Sequence, residues 1–304
     1  MQHLPLKEEF IEKYKKLTDY TEFEKYVQKF QPKALRVNTI KTSIPKIKKS
    51  LSYLNLKQIP WIKEGFWIQS EKRDLGNTLE HQLGYIYIQE AASMIPPLAL
   101  NPQPKDVVLD MCASPGSKTT QIAMMMNNQG LIVANEKDSF RTKPLVSNLQ
   151  RCGVSNTVVT VKDARSVTEN FNKILLDAPC SSSGTLRGLN QRNLKTALTW
   201  KPGLIKSIAG IQRKLILKAY EILNKKGTLI YSTCSLDPEE DEAVIQFLLD
   251  NTDAKLEKIN LKIKSEINLK YQDQTFSSEL NKCIKLWPQF YDTEGFFIAK
   301  ITKP

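Results

Sequence analysis

Val107-Val108-Leu109-Asp110-Met111-Cys112-Ala113-Ser114-Pro115-Gly116-Ser117-Lys118-Thr119 reads as an apolar strand, a tight loop and the start of a helix. Pro115 and Gly116 break both regular structures between the two. The same alternation repeats downstream. Helices are expected over 118–126, 140–152 and 204–223, and strands over 131–134, 157–161, 173–176 and 228–232. Strands and helices alternating at this spacing make an α/β fold with a doubly wound, mostly parallel sheet. Asp237-Pro238-Glu239-Glu240 should open one more helix, with Asp as cap, Pro in the first turn and acids at the positive end. Residues 283–287 and 296–301 read as a hairpin, which adds an antiparallel strand at one side.

Upstream the texture differs. Helical spacing dominates at Phe10, Ile11, Tyr14 and Leu17, and again at Phe23, Tyr26, Val27 and Phe30. A strand over 35–40, a lysine-rich helix over 45–54 and a hairpin-like stretch over 61–68 follow. The mix predicts a small α+β domain over residues 1–80, ahead of a larger domain over 81–304.

With 304 residues, 41% hydrophobic and 25% charged, the chain is long enough for one large core and a smaller one. Its net charge of +12 points to a polyanionic partner, and nucleic acid is the usual one. The five cysteines, Cys112, Cys152, Cys180, Cys234 and Cys283, are odd in number and scattered. That is neither a disulfide framework nor a zinc knuckle, and reduced thiols imply the cytoplasm. The opening Met1-Gln2-His3-Leu4-Pro5-Leu6-Lys7-Glu8-Glu9 lacks a signal-peptide core. Gln89, Glu90, Pro96 and Pro97 interrupt the longest apolar stretches, so no membrane span is expected. His3 and His81 are the only histidines, which argues against histidine catalysis and against a metal site.

Ligands of open α/β sheets bind at the carboxyl ends of the strands, where the 110–119 loop lies. It is not a Walker loop: the first glycine is missing and Lys118 does not directly follow Gly116. Nor is it the three-glycine dinucleotide fingerprint. Glu136 ends the second strand, suited to grip both hydroxyls of a ribose. Asp163 ends the third, suited to accept from an adenine amino group, and Asp177 ends the fourth. One carboxylate per strand end, around a loop with no phosphate cradle, suits S-adenosylmethionine, which has an adenosine but no phosphate.

Asp177-Ala178-Pro179-Cys180 and Tyr231-Ser232-Thr233-Cys234-Ser235 each put a cysteine at the end of an apolar strand. Two thiols beside such a loop fit covalent chemistry on a poor electrophile such as a pyrimidine ring. Carbon 5 of cytosine is weakly nucleophilic. A thiolate adding at carbon 6 makes an enamine, carbon 5 then takes the methyl, a base removes the carbon 5 proton and the thiolate leaves. Lys118 or the incoming sulfonium supplies the positive field that favours a thiolate. Chemistry alone leaves open which thiol attacks.

The stretches beginning at Asp110, Asp177 and Tyr231 resemble signature motifs of the Sun-type (Nop/Fmu-like) RNA cytosine carbon-5 methyltransferases. Arg36-Val37-Asn38-Thr39 resembles that family's N-terminal motif, Gly84-Tyr85-Ile86-Tyr87-Ile88-Gln89-Glu90-Ala91-Ala92-Ser93 the lead into its catalytic domain, and Gly295-Phe296-Phe297-Ile298-Ala299 its closing strand. The resemblance covers residues from about 35 to 301, six motifs in order. It implies an RNA-recognition domain over 1–80 and an S-adenosylmethionine-dependent catalytic domain over 81–304, acting as a monomer on tRNA in preference to rRNA. It implies that Cys234 is the nucleophile, that Cys180 assists release of the methylated base, and that Lys118 and Asp177 touch the target cytosine. Cys112, Ala113, Ser114, Pro115, Gly116, Ser117 and Lys118, with Glu136, Arg141, Asp163 and Asp177, would hold the cofactor. Three stretches depart from the family. Ser181-Ser182-Ser183-Gly184 stands for Ser-Gly-x-Gly, Arg187-Gly188-Leu189-Asn190-Gln191-Arg192-Asn193 replaces Arg-Asn-Pro-Asp ahead of Trp200, and Pro288-Gln289 replaces Pro-His.

Between Asp177 and Glu221 the chain has eight basic residues and no acid. Of these, Arg187, Arg192, Lys195 and Lys201 are expected to contact RNA phosphates, and Lys214 and Lys218 to form a solvated helix face. Arg36 and Asn38 are the expected contacts in the N-terminal segment, where residues 1–50 carry twelve basic against six acidic side chains. A base that must reach a buried thiol has to be turned out of its stack, which selects looped or locally melted RNA. A DNA cytosine methyltransferase would attack with Cys180 and need a separate target-recognition domain, of which there is no sign. An idle RNA-binding factor would not need both cysteines, Lys118 and the carboxylate set.

Overall fold

Val107–Asp110 lies in register between two parallel neighbours, Leu131–Asn135 and Phe171–Asp177, and Thr157–Thr160 continues the sheet beyond Leu131–Asn135. The strand Leu223–Thr233 follows on the other side of Phe171–Asp177. Val108, Leu109, Ile132, Ala134, Ile174 and Leu175 are wholly buried, as in a parallel sheet covered on both faces. The helices Ser117–Met125 and Ser139–Cys152 follow the first two strands. Asp138 caps the second of them by accepting from Phe140 N.

The computed structural model describes residues 4–69 and 74–304; His3 lies outside them. The chain divides into two units, and these strands, as far as Ile230, belong to the one made of Pro32–Asp177 and Glu221–Ile230. The same unit holds a second, antiparallel sheet in the order Leu56–Gln58, Gly65–Ile68, Ala34–Val37, Ile86–Ile88. Leu35, Val37, Phe66 and Ile86 form its core with Ile47 from the helix Ile44–Ser50. The small α+β region thus reaches past residue 80, and the hairpin expected over 61–68 is the second arm of one that begins at Leu56.

The other unit joins the chain up to Gln31 with Ala178–Tyr220 and Tyr231–Pro304. Its helices Glu8–Lys15 and Tyr20–Val27 each present residues one turn apart to a common core. Phe10 stacks on Tyr14 at 4.0 Å and meets Trp200 edge-on at 5.1 Å, while Phe23 meets Trp287 edge-on at 5.9 Å. Phe296–Thr302 pairs antiparallel with both Ile284–Leu286 and Lys255–Glu257, so the C-terminal hairpin forms as expected. Among the described residues no helix is long and apolar enough to cross a membrane.

The stretch after Cys234 corrects one expectation. Its helix begins at Glu242, and Asp237 caps nothing. Asp237, Glu240, Asp241 and Glu242 are all wholly buried. Asp237 pairs with Lys13 at 2.6 Å and accepts from Trp200 Nε1 at 3.2 Å. Lys285, also buried, pairs with Glu242 at 2.9 Å and Asp241 at 3.5 Å. Three of the four acids meet lysines from distant parts of the chain instead of the positive end of a helix.

Candidate active site

One candidate site is the loop that leaves Val107–Asp110. Gly116 adopts φ +98°, a conformation that favours glycine, and a Cβ there would lie a tight 3.1 Å from Leu145 Cδ1. Asp110, Cys112, Ala113, Ser114, Pro115, Ser117, Lys118 and Asp177 line one pocket. Lys118 Nζ pairs with Asp177 Oδ2 at 2.6 Å. Ser114 Oγ donates to Arg141 O at 2.7 Å and Arg141 donates back to Ser114 O at 3.1 Å, which ties the loop to the helix Ser139–Cys152. Burial pushes the Cys112 thiol up, so it stays protonated.

Glu136 is buried beside this loop. Its Oε1 accepts from Asp138 N at 3.1 Å. Its Oε2 sits 3.4 Å from the Arg141 guanidinium and has no hydrogen-bond partner among the described residues. A buried carboxylate oxygen with an open lone pair is what a ribose hydroxyl requires. With the absence of a phosphate cradle, this fits S-adenosylmethionine. Glu136→Ala should weaken its binding by about 1.5–3 kcal/mol, the value of hydrogen bonds to a charged acceptor. Calorimetry giving the parent affinity would remove Glu136 from the pocket. Asp163, the expected adenine acceptor, is forked by Arg165 at 3.0 and 2.6 Å, which holds its carboxyl below the usual range.

Two neighbours escaped sequence reasoning. Asp110 accepts from Thr119 Oγ1 at 2.7 Å, and burial pushes its carboxyl up to about 7. It stands at a strand end like the other acids, so the signal was present. Asn135 donates to Met111 O at 3.2 Å and Lys162 O at 3.0 Å, joining two loops. Nothing in the sequence marks it.

A second candidate site, in the other unit, is the cysteine pair. Cys180 Sγ and Cys234 Sγ stand 3.2 Å apart. Gly184 N donates to Cys234 O at 3.0 Å, and a Cβ on Gly184 would come within 2.8 Å of that oxygen, so only glycine allows the approach. Ser182, where the family often has glycine, takes φ +62°, and its Oγ lies 3.6 Å from Cys234 Sγ. Glu240 and Gln212, both missed in the sequence, lie behind Cys180. Glu240 Oε2 accepts from Ser181 N at 2.9 Å and from Gln212 Nε2 at 3.0 Å. Burial, and then the charge of Asp237, push Glu240 up to about 7. The Cys180 thiol is held well up by its bond to Cys234, by burial and by the nearby charge of Glu240. Cys152 and Cys283 are buried elsewhere.

Three expected RNA contacts are corrected. Arg36 is wholly buried and donates to Thr120 Oγ1 at 2.8 Å and Ser117 O at 2.9 Å, bracing the helix after the cofactor loop. Asn38 is buried and donates to Gly84 O and Cys152 O, each at 2.8 Å. Arg187 is buried, pairs with Asp292 and donates to Tyr26 O at 2.8 Å. A guanidinium or amide buried inside the fold and bonded to its neighbours there is out of reach of a phosphate. Arg192 and Lys195, on the helix Gln191–Thr199, and Lys201 are exposed.

The sheet and its carboxylate-edged loop define the class, an S-adenosylmethionine-dependent methyltransferase. The chain belongs to the family described as 16S rRNA methyltransferase RsmB/F, which matches residues 97–302, and residues 6–91 match the N-terminal domain of 16S rRNA methyltransferase RsmF. It is 46% identical over 305 residues to the tRNA (cytosine(49)-C(5))-methyltransferase of Pyrococcus abyssi, covering 98% of this chain and 97% of that protein. It is 43% identical over 283 residues to ribosomal RNA small subunit methyltransferase F of Psychromonas ingrahamii, covering 89% of this chain and 57% of that protein. The crystal structure of a methyltransferase homolog from Pyrococcus horikoshii has a TM-score of 0.88 and 37% identity, covering 99% of this chain and 96% of that one. The protein is therefore an S-adenosylmethionine-dependent RNA cytosine carbon-5 methyltransferase, as the motifs implied.

Proposed function

We propose that the enzyme methylates a cytosine in tRNA through a covalent cysteine adduct. The observation that carries the mechanism is the thiol contact at 3.2 Å. The segment 112–118, with Glu136, Arg141, Asp163 and Asp177, would hold S-adenosylmethionine, which supplies the methyl group. Lys118 and Asp177 would meet the target base. Cys234 adds to carbon 6 of cytosine, with the Ser182 hydroxyl beside its sulfur. The addition makes carbon 5 nucleophilic. Once carbon 5 carries the methyl, a base takes its proton, the carbon 5–carbon 6 double bond re-forms and the bond to Cys234 breaks, releasing the thiolate; Cys180, which keeps its own proton beside that sulfur, assists the release. The enzyme would act in the cytoplasm, as a monomer and without a metal; the five free cysteines support the first of these alone.

The choice of tRNA rests on the match to the tRNA methyltransferase, which covers 97% of that relative against 57% of the rRNA one. Bisulfite sequencing of total RNA, with and without the protein, tests it. A new signal is expected in tRNA, first at position 49. A signal confined to rRNA would overturn the choice.

With Arg187 buried, the RNA path is assigned to Arg192, Lys195 and Lys201. Reversing Arg192 and Lys195 together to Glu should weaken RNA binding and leave cofactor affinity alone. Each lost phosphate contact should flatten the log–log salt slope by about 0.7 to 0.9. An RNA titration at several salt concentrations measures it; a parental slope and affinity would make these residues solvated surface.

A further inference from the structure

The peptide groups on either side of Cys180 are gripped by one carboxylate and one amide. Glu240 and Gln212 are both wholly buried. Ser181 N, just after Cys180, donates to Glu240 Oε2 at 2.9 Å. Pro179 O, just before it, accepts from Gln212 Nε2 at 2.9 Å. The same Nε2 donates to Glu240 Oε2 at 3.0 Å, which joins the two grips, and Tyr231 Oη fixes the backbone of the acid by donating to Glu240 O at 2.6 Å. Burying a carboxylate is costly. Among the described residues the side-chain partners of this one are a peptide N–H and an amide, not a cation, and Asp237 nearby has the same sign. A buried acid without a counter-ion is a poor stabilising device. Its position against the backbone of one reacting thiol gives it another use.

Resting on the covalent reading above, we infer that Glu240 and Gln212 are positioning residues for Cys180, holding its thiol against Cys234 so that the methylated base is released. Methyl transfer depends on Cys234, whose backbone is held separately by Gly184 N and whose neighbour Thr233 donates to Asp241 at 2.6 Å. Loosening the Pro179–Ser181 turn should therefore slow release and spare the first methylation. Misplacing a reacting group by about 1 Å costs up to about a hundredfold in rate.

Glu240→Met keeps most of the volume and removes the acceptor of both Ser181 N and Gln212 Nε2. Gln212→Met removes the Pro179 grip with no change of charge, and decides the matter alone if Glu240→Met does not fold. Each variant, with Cys180→Ala alongside, is incubated with S-adenosylmethionine and an unmodified tRNA transcript. First-turnover methylation is read by rapid quench, turnover at steady state, and adduct on a denaturing gel. The first turnover should persist, turnover should fall about tenfold to a hundredfold, and a slow-migrating RNA adduct should build up. If Cys180→Ala traps an adduct while both other variants turn over without one, the inference fails and the covalent reading stands. If Cys180→Ala traps none, the covalent reading fails and takes the inference with it. A first turnover that falls in step with steady-state turnover means a merely structural role, and also overturns the inference.

Discussion

Cys234→Ala is expected to lower RNA methylation by about four orders of magnitude or more, the scale lost when a covalent nucleophile is removed. The change deletes only the sulfur. The backbone bond from Gly184 N to Cys234 O remains available, so the turn should keep its shape. The cofactor loop is built from other segments, with Glu136 and Arg141 at its edge, so S-adenosylmethionine should bind with parental affinity. A labelled methyl donor under single-turnover conditions, paired with calorimetry, separates the two effects. Substantial methylation by the variant would move the attack elsewhere, with Cys180 the first alternative. Loss of cofactor binding as well would mean that the variant is misfolded.

Lys285→Met should be the most destabilising single change, by about 3–5 kcal/mol, because it strands buried carboxylates without their cation. Lys285 Nζ lies 2.9 Å from Glu242 and 3.5 Å from Asp241, and none of the three side chains is exposed. Met fills most of the space, so the loss reports charge and not a cavity. The sign with pH follows from Asp241. Burial raises its carboxyl well above the ordinary value even against the pull of Lys285. A raised acid contributes most to stability below its unfolded value of about 3.9, and loses that contribution as pH rises. Without Lys285 it rises further, so the deficit of the variant should be widest near neutral pH and smallest in acid. Urea unfolding of parent and variant at both pH values measures it. An equal deficit at the two would rule out the buried pair as the cause.

The parallel sheet could be read in the sequence because strands buried on both faces are continuous apolar runs, and the loop at 110–119 because its Pro and Gly fall where a strand must stop. The cysteines stood out because each closes such a run. Arg36 and Arg187 were misread because, in a chain of net charge +12, a basic residue is by default a surface one. What buries them is a set of acceptors from remote segments, Ser117 and Thr120 for one and Tyr26 and Asp292 for the other. The stretch 237–242 failed in the same way. Its local pattern is that of a helix start, and only the fold brings Lys13 and Lys285 to it. Periodicity reports which face is buried, and it is silent on which distant charge waits there.

Arg36 also limits how the protein can be divided. The two family segments meet between residues 91 and 97, which invites treating the C-terminal one as a self-sufficient catalytic piece. Yet the guanidinium that holds Ser117 O, Thr120 Oγ1 and Gln121 Oε1 comes from the N-terminal segment. Those acceptors belong to the first turns of the helix that carries Lys118. A fragment cut at the junction would keep every residue proposed to hold the cofactor but lose the clamp on the helix that carries Lys118, so the first segment supports the proposed site and is not an accessory that can be exchanged.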